Sequence, residues 1–83
     1  MPIDYQEAGP VFRGQVGVED AETLLECLQQ RPTAIADLSE CEHLHPANLQ
    51  VLLAANISVQ AWPRDAGLTA WLRSAFEFHS HGE

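Results

Sequence analysis

The sequence predicts a mixed α/β domain with element order ββαβαβα, and three features carry that expectation. Apolar and polar residues alternate on both sides of a Gly-Pro turn near the N-terminus, two helix-period stretches each lie between runs of strand character, and a third helical stretch closes the chain. Eighty-three residues with 46% hydrophobic content supply one small core and not two, so residues 1–83 read as a single domain. A helix joining two neighbouring strands makes them parallel, whereas a hairpin is antiparallel. The expected product is therefore a mixed four-stranded sheet packed with three helices.

Ile3 and Tyr5, then Phe12, Gly14 and Val16, fall at period two on either side of Ala8-Gly9-Pro10, the pattern of two half-buried strands joined by a turn. Glu19 and Asp20 put negative charge at a helix start. Ala21, Leu24, Leu25 and Leu28 follow at i, i+3, i+4 and i+7, with Glu22, Glu26, Gln29 and Gln30 on the wet side. Arg31-Pro32 ends this helix, because the residue before proline is pushed out of the helical region. Thr33 to Leu38 is more uniformly apolar, as expected of a central strand covered on both faces, and Asp37 is its one charge.

Pro46 suits the first position of a second helix. Its Leu49, Val51, Leu52, Leu53 and Ile57 spread around much of the circumference, which predicts the most buried helix of the three. Ser58 to Trp62 reads as a short strand stopped by Pro63, and Asp65 as the N-cap of the third helix. In that helix Leu68, Trp71, Leu72, Ala75 and Phe76 recur at core spacing, while Trp62 suits either a cover for the sheet edge or an anchor for a partner. The final residues 79–83, HSHGE, are too few and too polar to pack and are expected to form a disordered tail.

The formal net charge is −8, and the four basic residues, Arg13, Arg31, Arg64 and Arg73, are well separated. No basic stripe exists to neutralise a phosphate backbone, so the expected partners exclude nucleic acid and anionic membrane surfaces. No stretch approaches the roughly 20 apolar residues that span a bilayer, and MPIDYQEAGP lacks the features of a signal peptide. These features predict a cytoplasmic protein without direct membrane insertion, whose two cysteines, Cys27 and Cys41, are reduced.

The segment from Ala34 to Ile57 organises the chain, running from the central strand through a polar loop into the second helix. A loop so placed lies at the carboxyl end of its strand, where the next helix offers free N–H groups to a partner or an anion. From Asp37 to Leu52 the residues DLSECEHLHPANLQVL resemble the switch segment of the STAS domain family (sulfate transporter and anti-sigma factor antagonist), and a looser likeness extends from Ile3 to Phe78. The resemblance implies the same element order and a non-enzymatic protein-interaction module in bacterial-type signalling. Its partner-binding residues would be Ser39, Glu40, Glu42, His43, Leu44, His45, Pro46, Ala47 and Asn48.

In phosphorylated members of that family a serine in this loop is modified by a kinase. The matching position here is Ala47, with Pro46 before it, His45 in place of the usual acidic residue and Asn48 in place of glycine, so no phosphorylation is expected. The partners implied are an anti-sigma factor or kinase, a chemotaxis component, or the subunits of a phospholipid-transport ABC complex, of which the chain would be a small subunit. Family members often carry a further strand and helix; stopping after the third helix leaves a sheet edge that favours a partner or a homodimer. The acidic residues Glu19, Glu22, Glu26, Glu40 and Glu42 are expected to form a rim around an apolar centre of Leu44 and Pro46.

Two other chemistries fit the same loop on paper. Ser39 with Asp37 and His43 sketches a nucleophile, acid and base, but no Gly-framed nucleophile turn surrounds the serine. A bond from Ser39 into its own turn is the preferred reading, and no catalytic residue is expected. Cys41, His43 and His45 alternate, so an extended loop would line them up as a small metal- or ligand-binding site, with His79 and His81 as further ligands. Structural metal sites call for four ligands at recognised spacings, so the reading is no metal and no cofactor, with Cys41 as packing.

Overall fold

The N-terminal hairpin forms where the alternation places it. In a computed structural model describing residues 2–31 and 33–81, with backbone alone from 78 onward, β1 (Ile3–Tyr5) pairs antiparallel with β2 (Pro10–Val16). Gln6 and Gly9 exchange backbone hydrogen bonds to close the turn, and Gly9 adopts a φ of 151° that a side chain rarely permits. A Cβ there would also collide with the backbone of Ile35, whose N–H donates to the Ala8 carbonyl oxygen at 2.9 Å. The glycine thus lets the hairpin turn lie against the start of the central strand.

A short 3-10 turn (Val18–Asp20) leads into α1 (Ala21–Gln30), followed by β3 (Ile35–Leu44), α2 (Pro46–Ala55), β4 (Ser58–Ala61) and α3 (Ala66–His81). The sheet order is β1-β2-β3-β4, with β2, β3 and β4 parallel, so the expected ββαβαβα order and mixed four-stranded sheet are what the chain adopts. Both crossovers step the same way across the sheet, which sets α1 and α2 side by side on one face and running in the same direction. Pro32, expected to help end α1, lies outside the described residues; Arg31 leaves helical geometry at φ −134° and ψ 73°.

A single core joins Ile3, Phe12 and Val16 of the hairpin to Leu24, Leu28, Leu38, Leu52 and Leu72. As expected, α2 buries the most positions among the described residues: Asn48, Leu49 and Leu52, against Leu24 and Leu28 on α1 and Leu72 on α3. Asp65 caps α3, accepting from the Leu68 N–H at 2.8 Å. No helix among the described residues is long and apolar enough to cross a membrane.

Four expectations are corrected. The central strand is covered on one face only: Ala36, Leu38, Cys41 and Leu44 point inward, while Ile35 is 40% exposed and Glu40, Glu42 and His43 face solvent. Leu25 and Trp71, read as core, are 39% and 41% exposed, because each lies at the margin of its helix's buried stripe, centred on Leu24 and Leu28 in α1 and on Leu72 in α3. α3 continues through His81 where a tail from residue 79 was expected; residues 82 and 83 lie outside the described residues. The last correction concerns the extent of β3.

Candidate functional site

Ser39 to Leu44, read as a loop, is the second half of β3. Pairing with β2 matches Val11 to Asp37, Arg13 to Glu40, Gly14 to Cys41, Gln15 to His43 and Val16 to Leu44. The strand therefore carries one extra residue between Asp37 and Glu40 and another between Cys41 and His43, two β-bulges in succession. They turn the inward spacing of Leu38, Cys41 and Leu44 from two to three, so strict alternation fails although the strand continues. Gly14, opposite Cys41 with φ 64°, takes up the local twist from the β2 side.

The first bulge explains the Asp37-Ser39 pair. The Ser39 N–H and hydroxyl both donate to Asp37 Oδ1, at 2.9 and 2.7 Å, and these two bonds hold the Asp37 carboxyl below its ordinary pKa. Ser39 is thus engaged locally, two residues back, but its hydroxyl meets the Asp37 carboxylate and not the backbone, and it does so within a strand and not a loop. The nucleophile sketch has the wrong geometry here, since Asp37 engages Ser39 itself and not His43.

The second bulge separates the metal-competent side chains. Cys41 is 3% exposed and packs in the core, where burial pushes its thiol up to about 11, and its S–H donates to the His43 carbonyl at 3.5 Å. His43 is on the exposed side, and His45 belongs to the next element. The alternation that would have lined up Cys41, His43 and His45 is broken, and no three His, Cys, Asp or Glu groups among the described residues could share a metal ion. The side chains of His79 and His81 lie outside the described residues.

At the end of β3 the chain turns directly into α2, and the helix start is closed from within. Pro46 has no N–H to offer, the Ala47 N–H donates to His45 Nδ1 at 3.0 Å, and the Asn48 N–H donates to the His45 carbonyl at 2.9 Å. The free donors expected at this helix start are thus already engaged, and Ala47 presents a half-buried methyl group there.

Asn48 shows what anchors the junction. Its side chain is fully buried, and Nδ2 donates to the Gly17 carbonyl at 2.8 Å, tying α2 to the turn after β2. The His45 N–H donates to the Val16 carbonyl at 2.9 Å, so both sides of the junction are stitched to the end of β2. Asn48 Oδ1 is buried without a hydrogen-bond partner among the described residues. Sequence reasoning put Asn48 on the partner surface; no neighbouring residue marks an inward role, because the group it bonds lies 31 residues earlier.

Leu44, also read as partner-facing, is 1% exposed in the core, so the expected acidic rim has no apolar centre there. Glu40 faces the open side of the sheet, where Arg13 lies 3.7 Å from it and 3.1 Å from Asp4. Glu22 and Glu26 sit on a helix of the other layer. What the junction does present is Glu42, His43 and Pro46, exposed, with His45 and Ala47 half-buried between them. Trp62 is half-buried against α3: its ring packs edge-on against Phe76 at 5.8 Å and beneath the Arg73 guanidinium at 5.6 Å.

Fold and junction together define a small α/β domain with helices on one face of a mixed sheet and a capped strand-to-helix turn at the end of it. Compared with known proteins, the chain matches no family model, no curated protein and no solved structure.

Proposed function

We propose that this chain is a STAS-like protein-interaction module without enzymatic activity, whose partner reads the surface where β3 turns into α2. The observation that carries the proposal is the closed helix start. With Pro46 lacking an N–H and His45 accepting those of Ala47 and Asn48, the turn offers a fixed shape and not an anion site. A surface of Glu42, His43, His45, Pro46 and Ala47 held on two rigid elements is suited to recognition by contour. The resemblance of residues 37–52 to the STAS switch segment supports the reading, as does the shared element order. On this reading the partner is an anti-sigma factor or kinase, a chemotaxis component, or a phospholipid-transport ABC complex, and the setting is cytoplasmic.

The test begins with a pull-down by the native protein, followed by affinity measurement against the captured partner. Ala47→Asp adds a charge at the first turn of α2, where the helix dipole favours it, and is expected to leave thermal stability within about 0.5 kcal/mol. Binding is expected to weaken at least about tenfold, a loss of about 1.4 kcal/mol, through a desolvated like charge or a steric clash. Unchanged affinity would remove the junction from the interface.

A further inference from the structure

A second surface lies in the helical layer, away from the junction. Leu25 is 39% exposed although it belongs to the apolar series of α1, and it borders a groove of about 330 Å³ lined by Leu25, Leu28, Gln29, Ala54 and Ala55. The groove runs between the C-terminal halves of α1 and α2, which lie side by side and point the same way. Ala54 and Ala55 keep one wall low, so a third helix can approach closely and set its side-chain ridge into the furrow.

The electrostatics of the groove select the occupant. Across their twenty residues α1 and α2 contain no Lys or Arg, and α1 exposes Glu22 and Glu26. Both helices direct their carbonyl ends toward this part of the fold with no basic residue in the last turn. The nearest following cation, Arg31, donates to the Gln6 carbonyl at 2.7 Å and is thereby committed to the hairpin. A second copy of this chain, with formal charge −8, would set Glu22 and Glu26 against their own equivalents across a two-fold axis.

We infer that the groove between α1 and α2 is a second docking face whose occupant is an amphipathic helix of a partner protein, apolar along one stripe and basic along its flanks. Its apolar stripe covers Leu25 and Leu28, and its Lys or Arg residues meet Glu22, Glu26 and the helix carbonyl ends. This face is independent of the β3–α2 junction.

The test uses the full ¹⁵N-labelled chain with two synthetic helical peptides of equal apolar content, one Leu/Lys and one Leu/Glu. The Leu/Lys peptide is expected to shift the amides of Leu25, Gln29 and Ala54 and to bind more weakly as salt is raised. Ala54→Arg, at an exposed helical position, is expected to reduce its affinity at least about tenfold, and Leu25→Ser by about threefold or more. Gln15→Arg adds the same charge on the open sheet face and should leave affinity within about twofold. Shifts confined to another surface, equal binding of the Leu/Glu peptide, or equal losses from Ala54→Arg and Gln15→Arg would each overturn the assignment. So would a concentration-dependent dimer in sedimentation that Ala54→Arg abolishes, because the groove would then belong to a second copy.

Discussion

Replacing Asn48 by Asp changes one terminal atom group at the buried point where α2 is tied to the turn after β2. At low pH the new carboxyl is neutral, and its O–H can donate to the Gly17 carbonyl as Nδ2 does now at 2.8 Å, so the variant should be close to the native protein in stability. Once ionised, the group faces a carbonyl oxygen from a fully buried position and has no donor to replace the one lost. The folded-state pKa of the new group is therefore raised above its unfolded value of about 3.9. A raised folded pKa means that stability is retained below the unfolded value and lost as pH climbs toward the folded one. Each pH unit in that window costs about 1.4 kcal/mol, so a rise from pH 4.5 to 6.5 should remove about 2–3 kcal/mol that the native protein keeps. That is a large part of the roughly 4–12 kcal/mol a domain of this size has. Urea denaturation of both proteins across this range reads the difference directly. A variant whose deficit is the same at both pH values would show that position 48 is reached by water or faces a donor, and the tie to Gly17 would not be what anchors the junction.

Other expectations follow from the same packing. Leu52→Ala, at a fully buried position on α2, should cost about 2–5 kcal/mol and lower Tm by more than about 8 °C; a loss below about 1 kcal/mol would make α2 peripheral. Ser39→Ala removes the hydroxyl donor and keeps the backbone one, so the Asp37 carboxyl should move partway back up toward its ordinary pKa in an NMR titration. Because a depressed carboxylate pKa supports the fold above the unfolded value and is lost on acidification, the same change should also reduce acid sensitivity; an unmoved Asp37 titration would place the cause elsewhere. In native buffer a thiol reagent should modify the half-buried Cys27 well before Cys41, whose thiol burial pushes up to about 11, and equal rates would mean that β3 opens readily.

Much of the architecture was legible because it rests on local chemistry. The Gly9-Pro10 turn, the i, i+3, i+4, i+7 series of α1, the proline at the start of α2 and the Asp65 cap each act within a few residues, and the element order follows from them. The charge of −8 and the scarcity of cations are likewise properties of composition, and they bear on partners whatever the fold.

Tertiary structure decided whatever depended on the partner of a strand or the neighbour of a helix. Ser39 to Leu44 reads as loop in isolation because its inward residues come every third position, and only hydrogen bonding to β2 makes that spacing a twice-bulged strand. With the strand extended, Leu44 and Cys41 fall into the core, Ser39 and Glu40 move to the open sheet face, and the presumed loop shrinks to the turn at His45. Asn48 is polar and lies two residues after a proline, so its sequence alone suggests a surface; its burial follows from the Gly17 carbonyl, 31 residues earlier, coming within reach when β2 and β3 end side by side. Whether a helix margin is buried was also beyond local pattern: Leu24 and Leu25 are adjacent leucines of α1, yet the first is fully buried in the core and the second borders the groove between α1 and α2. Local sequence specifies which residues can be apolar neighbours, but the register of distant strands, summed over many weak contacts, selects which of them meet.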